Sequence, residues 1–305
     1  MSSPEYLPLR VADAEGYFAK EGLALTLKTT RAEPGAAEAL AQGQADLAAT
    51  SLEAIIRFGP RTWRQAPRLV FGLTAAPPVA LVVAESQKEL VRSVEDLPGT
   101  RIGVAAPGAP EQSWLAWLIA RAGLSPAQVM LVSRGERGLQ HAVETGDVHG
   151  ALVREPAASR LIDSGQARVL VDLRTPAAVR QALGATTVNA GVFMRADRPL
   201  RDRDLAAFKR AVLAAENRIA TAEAAALSER LPATVTVSAE DFEVRLWSSR
   251  ALYLPDGVVA ADQVQQTFTL IRAHLPLPAT ARVPAPDELL RPLSRRALTP
   301  PAPAR

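Results

Sequence analysis

Cysteine is absent from all 305 residues. Disulfides, thiolate nucleophiles and cysteine-based metal sites are therefore excluded, and the absence fits an oxidising compartment without requiring one. Histidine is nearly absent: His141, His149 and His274 are scattered and give no metal-ligand spacing. Lysine is scarce too, with only Lys20, Lys28, Lys88 and Lys209, so the basic character rests on arginine. Thirty-five basic against 32 acidic residues leave a formal net charge of +3, and aromatics make up only 5%. No basic stripe with interleaved aromatics exists, so nucleic acid is not an expected partner. No apolar run approaches the roughly 20 residues that cross a bilayer. The longest, Val79–Ala84, reads as a core strand. Catalytic motifs are missing as well: there is no nucleophile elbow, and Gly135-Glu136-Arg137-Gly138 is neither a dinucleotide nor a phosphate-loop fingerprint. The carboxylate pairs Glu15/Glu21 and Glu85/Glu89 read as solvated helix faces. Neither a cofactor, a metal nor a catalytic residue is expected.

What is present is a large apolar fraction, 48%, in a chain long enough for two domains. A short amphipathic helix over Leu9, Val11, Ala12 and Phe18 ends near Gly22, a natural left-handed stop. Leu23, Leu25 and Leu27 then alternate with polar or small residues at the period of a half-buried strand. A helix over Ala36–Leu40 ends at Gly43, a short strand covers Asp46–Thr50, and Ser51 can cap the helix carrying Leu52, Ile55 and Ile56. Strand, helix and strand at this spacing imply a parallel sheet with crossover helices. Two apolar runs, Leu69–Thr74 and Val79–Ala84, flank the turn-forming Pro77-Pro78.

The alternation then repeats. Strands are expected at Arg101–Ala105, Val129–Val132, Val148–Val153 and Val169–Leu173. Helices are expected at Gln112–Ala122, Gly138–Thr145 and Ala157–Ser164. Thr187–Met194 is a last apolar segment, placed on the return crossing to the first unit. Residues 202–229, Ala239–Ser249 and Asp262–Ala273 are amphipathic helices. The proline-rich tail reads as disordered after about residue 292.

In open α/β sheets ligands sit beyond the carboxyl ends of strands, at helix N-termini. That rule selects Thr50 and Ser51, the loop from Ala106 to Glu111 with Pro107, Gly108 and Ala109, and Arg154-Glu155-Pro156. Each has a plainer reading: Thr50 and Ser51 as helix caps, the loop as turn chemistry, Arg154 and Glu155 as an exposed pair. In the loop, Pro110 has no N–H, Ala109 has no hydroxyl, and Glu111 places negative charge at a helix start. This suits an uncharged, aromatic or partly cationic solute better than nitrate or a sulfonate. Glu155 and Asn189 can bond its hydroxyls, and Tyr6 or Trp114 can supply a stacking face, although a tryptophan at Trp114's place on a helix is more often a core residue.

The segments GYFAKEGL at 16–23 and EALAQGQADLAAT at 38–50, VEDLPGTRIGV at 94–104 and VHGALVREPAASRL at 148–161 resemble the solute-binding proteins of ABC importers for sulfonates, nitrate, taurine and thiamine precursors. The resemblance covers about residues 9 to 255. It implies an α/β, two-lobed type II periplasmic-binding fold, each lobe a mixed sheet flanked by helices. Lobe one is expected from 1–84 plus 189–305, and lobe two from 85–188. Two crossings between the lobes would make a hinge. The implied function is non-enzymatic capture of a small solute in the interlobe cleft by a monomer, with delivery to an ABC permease. By resemblance the solute is a sulfonate, nitrate, or an aromatic or pyrimidine-like compound. The family's Trp ahead of Glu-Pro is Arg154 here.

Two rival readings share the fold. One is an enzyme, either a menaquinone-pathway lyase or a relative of the fungal-type pyrimidine synthase; the latter depends on a cysteine-rich iron motif that this sequence lacks. The other is a cytoplasmic ligand-sensing domain. The family places a strand ahead of the PLRVADAEGYF segment, where this sequence has a handful of residues, and Met1-Ser2-Ser3-Pro4 carries no leader pattern. The expectation is a sequence lacking that strand and leader, from a periplasmic or lipid-anchored protein, or a cytoplasmic one if Met1 is the true start.

Overall fold

A computed structural model describes residues 3–30, 32–106, 111–236, 239–274, 277–279 and 281–290. Among these, eight strands form two sheets. The strands are β1 Leu47–Ser51, β2 Pro67–Gly72, β3 Val79–Ala84, β4 Arg101–Val104, β5 Met130–Ser133, β6 Gly150–Arg154, β7 Ala167–Asp172 and β8 Ala190–Arg195. The first sheet has the order β1-β8-β2 and the second the order β5-β4-β6-β3-β7. Helices flank both sheets, giving the mixed α/β architecture expected.

The first sheet corrects the expectation of a parallel one. β1 and β2 do not pair with each other; each pairs antiparallel with β8, which arrives some 140 residues after β1 and some 120 after β2. Every residue of β8 is buried, so it belongs at the sheet's centre. Periodicity within 20–40 residues cannot reveal a partner that distant. The second sheet does carry the parallel pairs, β4 with β5 and with β6. β3 runs antiparallel between β6 and β7. The run Val79–Ala84, grouped by sequence with lobe one, is thus an inner strand of the second sheet, buried along its whole length. The crossing falls at residues 73–78, on the double proline.

The segment around Leu23, Leu25 and Leu27 keeps the alternation: these leucines are half-buried and their neighbours exposed. It joins no ladder among the described residues. The pattern recorded the burial, but a strand also needs a backbone partner. Gly22 fulfils its expected role as a helix stop, with φ +75° and Leu23 N–H closing on Phe18 O at 2.9 Å. Three helices escaped the sequence reading, Pro176–Leu183, Ala233–Thr236 and Pro286–Leu290. The first has a legible start, since Thr175 Oγ1 accepts from Ala178 N–H at 3.1 Å and proline stands at the first turn. The expected disorder after about residue 292 lies outside the described residues.

Each lobe has its own apolar cluster, one around Phe71, Val192 and Phe208, the other around Val82, Leu139 and Val153. A further cluster joins them. Phe268 and Ile271 of helix Ala261–His274 share it with Trp114, Leu115 and Leu118 of helix Glu111–Arg121. Trp114 is 3% exposed and is a core residue, with no face left for stacking on a solute. The two crossings between the lobes are bonded to each other: Asn189 N–H donates to Thr74 O and Thr187 Oγ1 to Ala75 O, both at 2.7 Å.

Candidate functional site

The carboxyl ends of β1 and β6 and the start of helix Glu111–Arg121 converge between the two lobes. Arg154, the last residue of β6, reaches across from lobe two. Its Nη2 donates to Glu5 Oε2 at 2.7 Å, and its Nη1 donates to the carboxylate of Glu111. Glu5 sits on the turn Pro4–Tyr6 and is 1% exposed. Its other oxygen, Oε1, accepts from Asn189 Nδ2 at 2.7 Å, and Ser3 Oγ donates to Oε2 at 2.5 Å. Tyr6 Oη donates to Glu33 Oε1 at 2.6 Å, and Thr50 Oγ1 donates to the Glu33 carbonyl at 3.0 Å. Glu53, buried on helix Leu52–Phe58, accepts from Arg57 Nη1 at 2.9 Å.

Three carboxylates, Glu5, Glu33 and Glu111, therefore act on one guanidinium that spans the lobes, and Glu53, held by Arg57, lies close enough to feel Glu33 and Glu111. Burial pushes the Glu5 carboxyl up to about 7; Arg154 opposes that rise, and Glu33 and Glu111 add to it. Burial likewise pushes Glu53 up to about 7 against the pull of Arg57, with Glu33 and Glu111 again adding. Burial works to discharge Arg154, yet Glu5 and Glu111 outweigh it and hold the guanidinium above its ordinary range. The Tyr6 phenol is raised by burial and by Glu33. In a site screened from water these charges act on a ligand far more strongly than surface charges do.

Of the residues selected from the sequence, Tyr6, Thr50, Glu111, Arg154 and Asn189 meet here. Ser51 is adjacent, but its Oγ accepts from Ala54 N–H at 3.2 Å, so it caps the helix as the plainer reading had it. Glu155 joins a different group. It accepts from Arg174 Nη1 at 3.0 Å and from Ser159 Oγ at 2.9 Å, within lobe two. Pro107, Gly108 and Ala109 lie outside the described residues. Sequence reasoning missed Glu5, Glu33 and Glu53. Glu53 was within reach of the strand-end rule, two residues beyond the Ser51 cap. Glu5 and Glu33 precede any strand, and only the folded chain brings them in. Among the described residues no group of three or more histidine, cysteine or acidic side chains is arranged to hold a metal ion.

Two helix-flanked sheets, joined by paired crossings and meeting at a charged cleft, form a periplasmic-binding-protein fold, which solved neighbours share. The chain belongs to the NMT1/THI5-like family, whose description matches residues 3–187. It is similar to the periplasmic aliphatic sulphonate binding protein SsuA of Escherichia coli, at 20% identity over 99% of this chain and 95% of that one, with a TM-score of 0.68. It is also similar to the alkanesulfonate-binding protein SsuA of Xanthomonas axonopodis pv. citri, solved bound to MOPS, at 20% identity over 92% and 93%, with a TM-score of 0.64. A DszB mutant in complex with biphenyl-2-sulfinic acid is a third neighbour, at 16% identity over 96% and 95%, with a TM-score of 0.59. No curated protein matches by sequence.

Proposed function

We propose that this protein captures a small solute between its two lobes, closes on it about the crossings at residues 73–78 and 184–189, and delivers it unchanged to an ABC permease outside the inner membrane. The single observation that supports a solute site here is the interlobe group itself, in which Arg154 of lobe two is bonded to Glu5 of lobe one. Its charge favours a class of solute. With Glu5, Glu33, Glu53 and Glu111 against Arg154 and Arg57, an anion would enter a surplus of buried negative charge. A solute rich in N–H donors or bearing a positive charge would relieve it. The sulfonates of the neighbours are anions and suit this cleft poorly.

A thermal-shift panel of polyamines, protonated heterocycles, pyrimidines, aromatic acids, nitrate and alkanesulfonates tests the reading. A solute at 100 times its dissociation constant adds about 2.7 kcal/mol to folding stability. Stabilisation by cations and donors, with the compound recovered unaltered and its effect lost in Glu53→Gln, is the expected result. Stabilisation by sulfonates alone overturns the class. Recovery of an altered compound replaces transport with catalysis, the activity class of the rival enzyme reading.

A further inference from the structure

A second opening lies between the lobes, of about 460 Å³, within the range that small-molecule sites occupy. Its two walls are helices from different lobes. Helix Ala157–Asp163 presents Ser159 and Asp163, one turn apart, from lobe two. Helix Ala239–Ser249 presents Glu243 with Trp247 and Val244 with Ser248, again at i,i+4, from lobe one. Both walls are tied to elements that carry the cleft. Ser159 Oγ is bonded to Glu155, the residue next to Arg154, and helix Ala239–Ser249 packs against the turn that carries Glu5.

Trp247 is the feature that needs an explanation. The same helix buries Phe242 and Leu246 completely, yet the indole stands 68% exposed at the opening. Among the described residues Arg250 is the cation over it, 5.4 Å from the ring centroid, and Arg250 is itself tied to Ala222 O at 2.8 Å. The polar groups beside the indole in the lining are two carboxylates, Asp163 and Glu243, and two hydroxyls. Of the arginines on these helices, Arg245 donates to Val235 O, and burial, with the like charge of Arg160 after it, lowers its hold on the proton. An aromatic face flanked by carboxylates is the chemistry that holds organic ammonium groups.

We propose that this opening is an outer subsite of the interlobe cleft and takes a protonated or quaternary amine of the solute, seated between the Trp247 indole and the carboxylates of Asp163 and Glu243. This rests on the interlobe binding reading above and extends it. The polar part of the solute meets the Glu33–Glu53–Glu111 group, and its amine reaches the rim. Because the walls belong to different lobes, occupancy at the rim favours the closed arrangement.

The test uses the full chain and benzyltrimethylammonium as probe, followed by tryptophan fluorescence. Saturable quenching by the cation is expected, with benzyl alcohol and benzenesulfonate bound about tenfold more weakly or worse. Trp247→Ala removes the quenching and Asp163→Asn/Glu243→Gln lowers affinity about tenfold. These side chains are exposed, so all variants keep the wild-type melting temperature. Equal binding of benzenesulfonate, or a probe affinity in the thermal-shift assay unchanged by Trp247→Ala, overturns the subsite. The two readings fail separately. A panel solute that stabilises Trp247→Ala as well as it does the wild type removes the subsite and leaves the cleft standing. A probe bound through Trp247, while no panel solute stabilises the protein, keeps the opening as a site and removes the cleft.

Discussion

Arg154 and Glu155 are adjacent in the chain and end in opposite worlds. Arg154 reaches out of lobe two into the cleft, where it faces more carboxylates than it can neutralise. Glu155 turns into lobe two, where Arg174 binds it at 3.0 Å and also grips Asp172 Oδ2 at 2.9 Å. Ser159 completes that set with a backbone N–H and a hydroxyl. Successive side chains at a strand end point to opposite faces, and here one face is the interlobe space and the other the lobe's own packing. The lobe-two cluster has its hydrogen bonds closed among its own members. The cleft cluster holds buried acids pushed towards neutrality, the condition associated with functional sites.

The contrast can be broken in order of expected effect. Arg154→Ala strands Glu5 and Glu111 without their cation, and should cost about 4 kcal/mol of stability at pH 8 together with solute binding. Urea unfolding measures the first and calorimetric titration the second; retained binding would place the solute elsewhere. Glu5→Gln should act in the other direction. The Glu5 carboxyl is raised from 4.5 to about 7 in the folded protein, so between those values the native state holds more protons than the unfolded one. Its contribution to stability is therefore full at low pH and is lost as pH rises through about 7. Removing the charge should raise stability at pH 8 by about 3 kcal/mol at most and flatten the pH dependence of unfolding between 4.5 and 7.

Arg174→Ala should cost about 2 kcal/mol, because Glu155 is left buried with Ser159 alone, and should leave solute affinity within about twofold. A large loss of affinity would join the two clusters into one site. Ser51→Ala has the smallest effect. Loss of the cap on Ala54 should lower stability by about 1 kcal/mol, read from chemical unfolding, with no change in binding.

The outcome at Thr50 and Ser51 shows how far the strand-end rule carries. It led to the rim where the interlobe group lies, and Thr50 belongs to that group, donating to the Glu33 carbonyl. The acids it did not reach, Glu5 and Glu33, are contributed by segments that neither end a strand nor begin where a strand ends. Trp114 shows the converse. Its helix was legible, but the packing of helix Ala261–His274 against it was not, so only the fold selected the core reading over the stacking one.

Sequence alone determined the elements that depend on near neighbours: helix stops such as Gly22, the cap at Ser51, the buried runs of β3 and β8, and the strand–helix alternation. It also carried the family. Tertiary structure decided which strands pair, with β8 entering antiparallel between β1 and β2 and β3 entering the second sheet. It decided, too, that three acids from separate segments share one guanidinium, with a fourth, Glu53, beside them. Local periodicity records which side of an element is buried, because that is set by the spacing of side chains along it. What lies against that side comes from residues tens to well over a hundred positions away, and both strand partners and buried charge balance are properties of that contact.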